Sequence, residues 1–273
     1  MVPKSGKGDE RMSPDDTQDP YARIASGYVA TRQEDPRIRR LIHDALGDAR
    51  SVVNVGAGTG AYEPTDRKVV AVEPSEVMIA QRPPGLAPAV RAYAECLPLP
   101  ANSVDAAMAC MTLHHWSDWR VGLQELRRVA RKRIVIFTYD PDFIGRFWLL
   151  RDYLPELGRL DSQRFPTLAE QCAAAGQDVA VMPVPIPHDC QDGFMAAYWR
   201  RPQAYLDERI RANISTFHLP GARRALGGLR HLAEDLRTGR WQERNRELLR
   251  QAELDLGYRL LVVDLWIKQA LSR

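Results

Sequence analysis

The run Ser51-Val-Val-Asn-Val55 passes directly into Gly56-Ala-Gly-Thr-Gly60, and this junction restricts the fold more than any other stretch of the chain. A short β-branched run with no polar alternation reads as a strand buried on both faces, the environment of a parallel sheet. Glycines at its end allow a tight turn and let a ligand approach the main chain. A second such run, Lys68-Val-Val-Ala-Val72, ends at Glu73-Pro74. Further strands are expected at Ala89 to Tyr93, Val104 to Met111, Arg133 to Tyr139, Val179 to Ile186 and Tyr258 to Leu265. Helical spacing appears between them: Ile38, Leu41, Ile42 and Leu46 in the stretch from Pro36 to Leu46, and Leu123, Leu126 and Val129 in the stretch from Asp118 to Arg131. Another helix is expected from Thr167 to Ala175, stopped by Gly176. Strands alternating with helices imply a mostly parallel seven-stranded sheet with helices on both faces.

At 273 residues, one core with an elaboration is the expected organisation. Residues 1–19 carry almost no apolar side chains and read as a flexible tail, followed by a helix near Tyr21 to Thr31. Residues 20–273 then form one domain. Within it, residues 191–256 read as helix throughout, an insertion before the last strand and a cover for a substrate. The clearest part is Leu226, Leu229, Leu232 and Leu236, with Gly239 as the stop.

Composition excludes several classes of function. A net charge of +3 gives no electrostatic case for nucleic acid as a partner. The short strip Arg127, Arg128, Arg131, Lys132, Arg133 reads as a solvated helix end. Cys96, Cys110, Cys172 and Cys190 lie far apart without metal-ligand spacing, so no metal is expected, and reduced thiols point to the cytoplasm. No aliphatic run is long enough to span a bilayer.

The loop matches the loose dinucleotide pattern, which alone is weak, and Glu73 is placed to accept hydrogen bonds from ribose hydroxyls. A dinucleotide also needs a helix N-terminus aimed at its pyrophosphate. Only Ala61 to Arg67 separate the loop from the next strand, and Pro64 interrupts them. No proper helix fits there, which favours S-adenosylmethionine.

Four motifs in order carry a resemblance: Val55-Gly56-Ala57-Gly58-Thr59-Gly60; Val72-Glu73-Pro74-Ser75-Glu76-Val77-Met78; Ala94 to Asp105; and Leu113-His114-His115-Trp116. Together they resemble the class I S-adenosylmethionine-dependent methyltransferases, most closely the small-molecule branch with the ubiquinone/menaquinone and trans-aconitate enzymes. The resemblance spans about residues 20–140 and implies a Rossmann-like fold. It implies that Gly56, Ala57, Gly58 and Gly60 line the methionine part of the cofactor and that Glu73 takes the ribose. Met78 would pack on the adenine face, with Ala94 and Glu95 at its edge. Where the family usually has Asp this chain has Tyr93, and Glu95 is the substitute. Thr112 and Leu113 would present backbone groups to the methionine amine, and Tyr28 and Arg32 would close the other side.

Methyl transfer demands a nucleophile held close and in line, and a base only where the acceptor keeps its proton. His114 and His115 follow the fourth strand and are the candidates for that base. Trp148, Arg151, His188 and Tyr198 are the candidates for acceptor contact; aromatic and Arg side chains suit an apolar or aromatic molecule with a carboxylate. His188-Asp189-Cys190 cannot be a triad, because adjacent strand residues alternate faces. The expected activity is methyl transfer to oxygen or carbon of a small molecule in specialised or cofactor metabolism. The alternatives are an RNA or protein methyltransferase and a non-catalytic binder of S-adenosylmethionine. Enzymes acting on exocyclic amines of bases usually carry Asn/Asp-Pro-Pro-Tyr where this chain has Thr112-Leu113-His114-His115.

Overall fold

A computed structural model of the chain describes residues 32–265. The tail at residues 1–19, the helix expected near Tyr21 to Thr31, and Tyr28 lie outside the described residues. Seven strands form the main sheet: β1 (Ser51–Val55), β2 (Lys68–Val72), β3 (Ala89–Val90), β4 (Val104–Cys110), β5 (Ala130–Tyr139), β6 (Val179–Pro183) and β9 (Tyr258–Asp264). A separate pair joins β7 (Ile186–Pro187) to β8 (Glu253–Leu254). The main order is β3-β2-β1-β4-β5-β9-β6. β1 to β5 run parallel, and β9 inserts antiparallel to both β5 and β6. Helices α1 (Pro36–Leu46), α2 (Glu76–Ala80), α3 (Trp119–Val129), α4 (Pro155–Ser162), α5 (Leu168–Ala175), α6 (Gly228–Thr238) and α7 (Arg240–Arg244) account for the main helical segments.

Alternation along the strands divides the core in two. Val52, Met108, Val135 and Phe137 face α1, whose Ile38, Ile42 and Leu46 are buried there. Val53, Ala107, Ile134 and Ile136 face the other way, onto Leu123, Leu126 and Val129 of α3. Helix ends follow their local chemistry. Thr167 and Glu170 make a reciprocal capping box at α5, Gly176 ends it, and Gly239 ends α6 at φ 78°.

The expected helix over residues 191–256 is absent. Pro202, Pro220-Gly221, Gly227-Gly228 and Gly239 divide it into single turns plus α6 and α7. What holds the segment is aromatic packing: Trp148, Trp199, Tyr205 and Trp241 are fully buried in the same cluster as α1. The Trp148 indole donates to the Trp199 carbonyl at 2.8 Å, and the Trp199 indole donates to the Ile186 carbonyl at 2.9 Å. Two strands are also shorter than expected. β3 stops at Val90, and the run from Val179 breaks at Pro183, because Pro185 has no N–H for the ladder.

Asp35 ties α1 to the start of this segment. Its carboxylate caps α1 through the Arg37 N–H, pairs with the Arg37 guanidinium at 2.7 Å, and accepts the Gln191 N–H at 3.1 Å. Burial pushes the Asp35 carboxyl up, but these hydrogen bonds and the Arg37 charge outweigh it and leave it below the ordinary value. A carboxyl lowered by folding stabilises above its unfolded value and loses that contribution as pH falls. Asp35→Ala is expected to cost about 2 kcal/mol at pH 7. The gap to wild type should narrow below about pH 4 in denaturant titrations repeated across pH.

Candidate active site

A cavity of about 870 Å³ opens at the carboxyl ends of β1, β2, β4 and β5. That is where ligands of open α/β sheets bind. Its volume is at the upper end of the range for small-molecule sites, which leaves room for two ligands.

One half is built by the glycine loop. Gly56, Gly58 and Gly60 have φ of 68°, 50° and 99°. A Cβ on Gly56 would stand 2.0 Å from Thr112 Oγ1, so only glycine lets β1 leave the sheet against the end of β4. Ala61 to Arg67 contain no helix. The loop is braced instead by the buried Glu63–Arg82 ion pair at 2.8 Å, with Arg82 also donating to the Gly58 carbonyl at 3.2 Å.

Glu73, at the end of β2, is buried. Its carboxylate accepts the Gly58 N–H at 2.8 Å and the Ser75 N–H at 2.9 Å. Met78, buried on α2, reaches toward Gly58, whose added Cβ would sit 3.4 Å from the Met78 methyl. Ala94 and Glu95 border the same space, and Glu95 accepts the Asp118 N–H at 2.9 Å. Tyr93 is 64% exposed. Thr112 is buried beneath the loop, its hydroxyl accepting the Trp116 indole N–H at 3.2 Å. These residues fit S-adenosylmethionine: a close backbone, a carboxylate at ribose reach, and no helix N-terminus that a pyrophosphate would need.

The other half is lined by aromatic side chains. His114 and His115 sit on the turn after β4 with ring centroids 3.9 Å apart. The His114 ring lies tilted against Phe165 at 4.3 Å, Phe165 tilted against Tyr139 at 5.3 Å, and Tyr139 edge-to-face with Tyr258 at 5.2 Å. Burial, with the positive charges of Arg164 and Arg32, pulls both imidazoles down, His115 to about 3 and His114 well below its ordinary value. Both are therefore neutral at working pH. Arg32 borders the cavity and pairs with Asp192 at 2.7 Å. Asp192 also accepts the Tyr62 hydroxyl at 2.7 Å, joining the segment before α1, the connection after the glycine loop and the segment before β8.

The four residues expected to touch the acceptor do not border the cavity. Trp148 is core, because its large indole finds its hydrogen bond inside. Arg151 is half-exposed and pairs with Asp152. His188 lies outside, its Nδ1 3.1 Å from the Ala252 carbonyl. Tyr198 packs on Tyr205 and under Arg201. Their places are taken by Phe147, Leu150, Asp161, Arg164 and Phe165, with Phe194 and Ile214 from the later segment. Phe143, Phe147, Trp148 and Tyr153 make residues 141–153 rich in aromatic side chains, but their spacing does not say which side faces inward. Its helix closes Leu154 N–H onto the Leu149 carbonyl, five residues back, and that wide turn re-aims the side chains.

The basic strip is not a free surface. Arg127 donates to the Ala175 carbonyl, Arg128 pairs with Glu125, Arg131 with Asp105, Lys132 with Asp48 and Arg133 with Asp264. No helix among the described residues is long and apolar enough to cross a membrane.

The model of a methyltransferase domain family matches residues 53–137, from β1 to β5. A protein of Anabaena variabilis, named as a methyltransferase from an antibiotic biosynthesis pathway, is 36% identical. The match covers 85% of this chain and 98% of that one, with a TM-score of 0.77. A methyltransferase of Thermotoga maritima is 23% identical, covering 59% of this chain and 79% of that one at a TM-score of 0.48. Geranyl diphosphate C-methyltransferase of Streptomyces coelicolor is 14% identical, covering 83% and 74% at 0.46. Neither of these two adds weight. No curated protein matches the chain. The sheet order, the glycine loop with its acidic partner, and the near-complete match to the Anabaena protein place the chain in the class I S-adenosylmethionine-dependent methyltransferases, enzymes that draw the transferred methyl group from that cofactor.

Proposed function

We propose that the acceptor is a small, largely apolar or aromatic molecule methylated at oxygen or carbon. The observation that carries this is the continuous aromatic wall running from His114 through Phe165 and Tyr139 to Tyr258 inside one cavity with the glycine loop. Such a wall buries a flat apolar molecule and favours ring-on-ring contact. A polynucleotide acceptor would want unpaired cationic groups for its phosphates. The Arg and Lys side chains of the α3–β5 strip are engaged within the fold instead. The pathway named for the Anabaena relative agrees with specialised metabolism.

In this reading Gly56, Ala57, Gly58 and Gly60 run along the methionine part of the cofactor, and Glu73 receives the ribose hydroxyls. Met78, Ala94 and Glu95 enclose the adenine, and the Thr112 backbone faces the methionine amine. Residues 20–273 form one domain, in which 191–256 cover the acceptor. The four separated, unpaired cysteines suit the cytoplasm.

The cofactor supplies an electrophilic methyl group; the chain positions the acceptor and disposes of its proton. A general base contributes 10²–10⁴-fold when its pKa lies near the working pH. His115, held at about 3, is a poor match for that task and serves to pack and orient. His115→Ala is expected to retain S-adenosylhomocysteine affinity and to lose less than about tenfold in turnover, well short of a base. The test is calorimetry with S-adenosylhomocysteine, then transfer of labelled methyl to a panel of phenols, enols and aromatic carboxylates beside total RNA and protein. Label appearing only in RNA or protein would overturn the small-molecule reading.

A further inference from the structure

Asp161 ends α4 and lines the aromatic half of the cavity, yet is only 6% exposed. One oxygen, Oδ1, is fixed from two sides: the Arg164 guanidinium donates to it at 3.0 Å and the Thr216 hydroxyl at 3.1 Å. The other, Oδ2, has no hydrogen-bond partner among the described residues, and it is not sealed from solvent-sized space. A buried carboxylate with one oxygen pinned and the other turned to cavity space can accept a hydrogen bond there, from water or from a donor on a bound molecule.

We propose that Asp161 is the catalytic proton acceptor, its Oδ2 taking the hydroxyl proton of a phenolic or enolic methyl acceptor seated against Phe165 and Tyr139. The proposal rests on the small-molecule reading above and narrows it to a hydroxyl acceptor. As the acceptor's O–H bond breaks, its electron pair stays on oxygen and forms the new O–CH₃ bond. The proton passes to Asp161 Oδ2, and the pair of the broken S–CH₃ bond remains on sulfur as an uncharged thioether. Asp161 then returns the proton to water.

The surroundings suit this role. Burial raises the Asp161 carboxyl above its ordinary value, opposed by the Arg164 charge and by the hydrogen bonds from Arg164 and Thr216. That makes it a stronger proton acceptor than His115, held at about 3. The groups facing it are Arg164 from the following loop, Thr216 and Ser215 from the 215–218 turn, Tyr139 from β5 and Tyr258 from β9, with His114 beyond Phe165. Among these only Arg164 carries a charge at neutral pH, so its Coulomb attraction is what favours the carboxylate against burial.

The probe is 4-nitrophenol, whose neutral and phenolate forms differ in colour, added to protein first shown by calorimetry to hold S-adenosylhomocysteine. Wild type is expected to bind the neutral phenol, with binding weakening as pH falls through the Asp161 titration. Asp161→Asn puts an amide N–H₂ where Oδ2 stood, since Arg164 and Thr216 hold the amide oxygen in place. It should weaken neutral-phenol binding by at least about tenfold and bring up the phenolate colour. Thr216→Val leaves the carboxylate in place and should move the acid-side loss of binding to higher pH, a shift that a purely structural Asp161 would not produce. Phenolate bound by wild type and lost in Arg164→Gln but not in Asp161→Asn would overturn the proposal, as would an unmoved acid limb in Thr216→Val. Failure of any aromatic probe to bind would sink the small-molecule reading with it. Probe binding indifferent to Asp161 would remove only this residue's role.

Discussion

Glu73→Ala is expected to weaken S-adenosylhomocysteine binding by about 100-fold, equivalent to about 3 kcal/mol. Two losses combine. In the proposed arrangement the carboxylate receives the ribose hydroxyls, and hydrogen bonds to a charged acceptor contribute about 1.5–3 kcal/mol each. The same carboxylate joins the Gly58 N–H to the Ser75 N–H, so its removal also frees the loop proposed to lie along the cofactor. Calorimetry measures the first effect. A thermal melt without ligand measures the second, and the two separate because only the binding loss scales with ligand concentration. Affinity within about threefold of wild type would end the ribose assignment.

Among the described glycines, Gly228→Ala should be the most destabilising change to alanine. A Cβ there would stand 1.6 Å from the Tyr153 carbonyl oxygen and 2.6 Å from its carbon, and backbone cannot turn aside as a side chain can. Helix α6 must move off the Leu149–Tyr153 turn, straining the 2.7 Å hydrogen bond from the Tyr153 hydroxyl to Asp235. Overpacking of this kind costs about 1–3 kcal/mol and the hydrogen bond about 1 more, so a fall in Tm of about 10 °C is expected. Leu150 shares that turn and lines the cavity, so turnover should fall while cofactor affinity holds. Gly227→Ala is the control. Its Cβ meets nothing within 4 Å, and its φ is −53°, so melting should be unchanged or slightly higher. Equal melting of the two variants would refute the close-approach account.

The glycine-loop half of the cavity was legible in the sequence because local rules built it. A buried strand, a glycine turn and a strand-end carboxylate are adjacent in the chain, and each has its own signature. The seven-residue connection without a helix was equally readable and separated the adenosyl ligand from a dinucleotide. The acceptor half depended on which side of irregular segments faces inward. Trp148 and Leu150 are two residues apart and both buried, yet only Leu150 borders the cavity, because a wide turn shifts the face. Arg151 and Arg164 look alike in sequence; only the second meets a buried Asp at the cavity. Over 191–256 the apolar spacing of Leu226 to Leu236 and the stop at Gly239 match α6, whereas Pro202, Pro220-Gly221 and Gly227-Gly228 break the helix expected elsewhere in the segment.

The placement of β9 between β5 and β6 has a consequence for the order of events during biogenesis. β5 and β6 do not touch; the second neighbour of β5, beside β4, and the one neighbour of β6 in the main sheet are both residues 258–264. While the ribosome is still making the preceding hundred residues, β5 stands as an open parallel edge and β6 has no sheet to join. The glycine-loop half of the cavity, built from β1 to β4, can form in that interval, whereas the aromatic wall must wait for Tyr258. Long-range pairing of this sort is slow and leaves an edge exposed to other chains. The step that completes the cavity is therefore also the step that covers the open edge of β5.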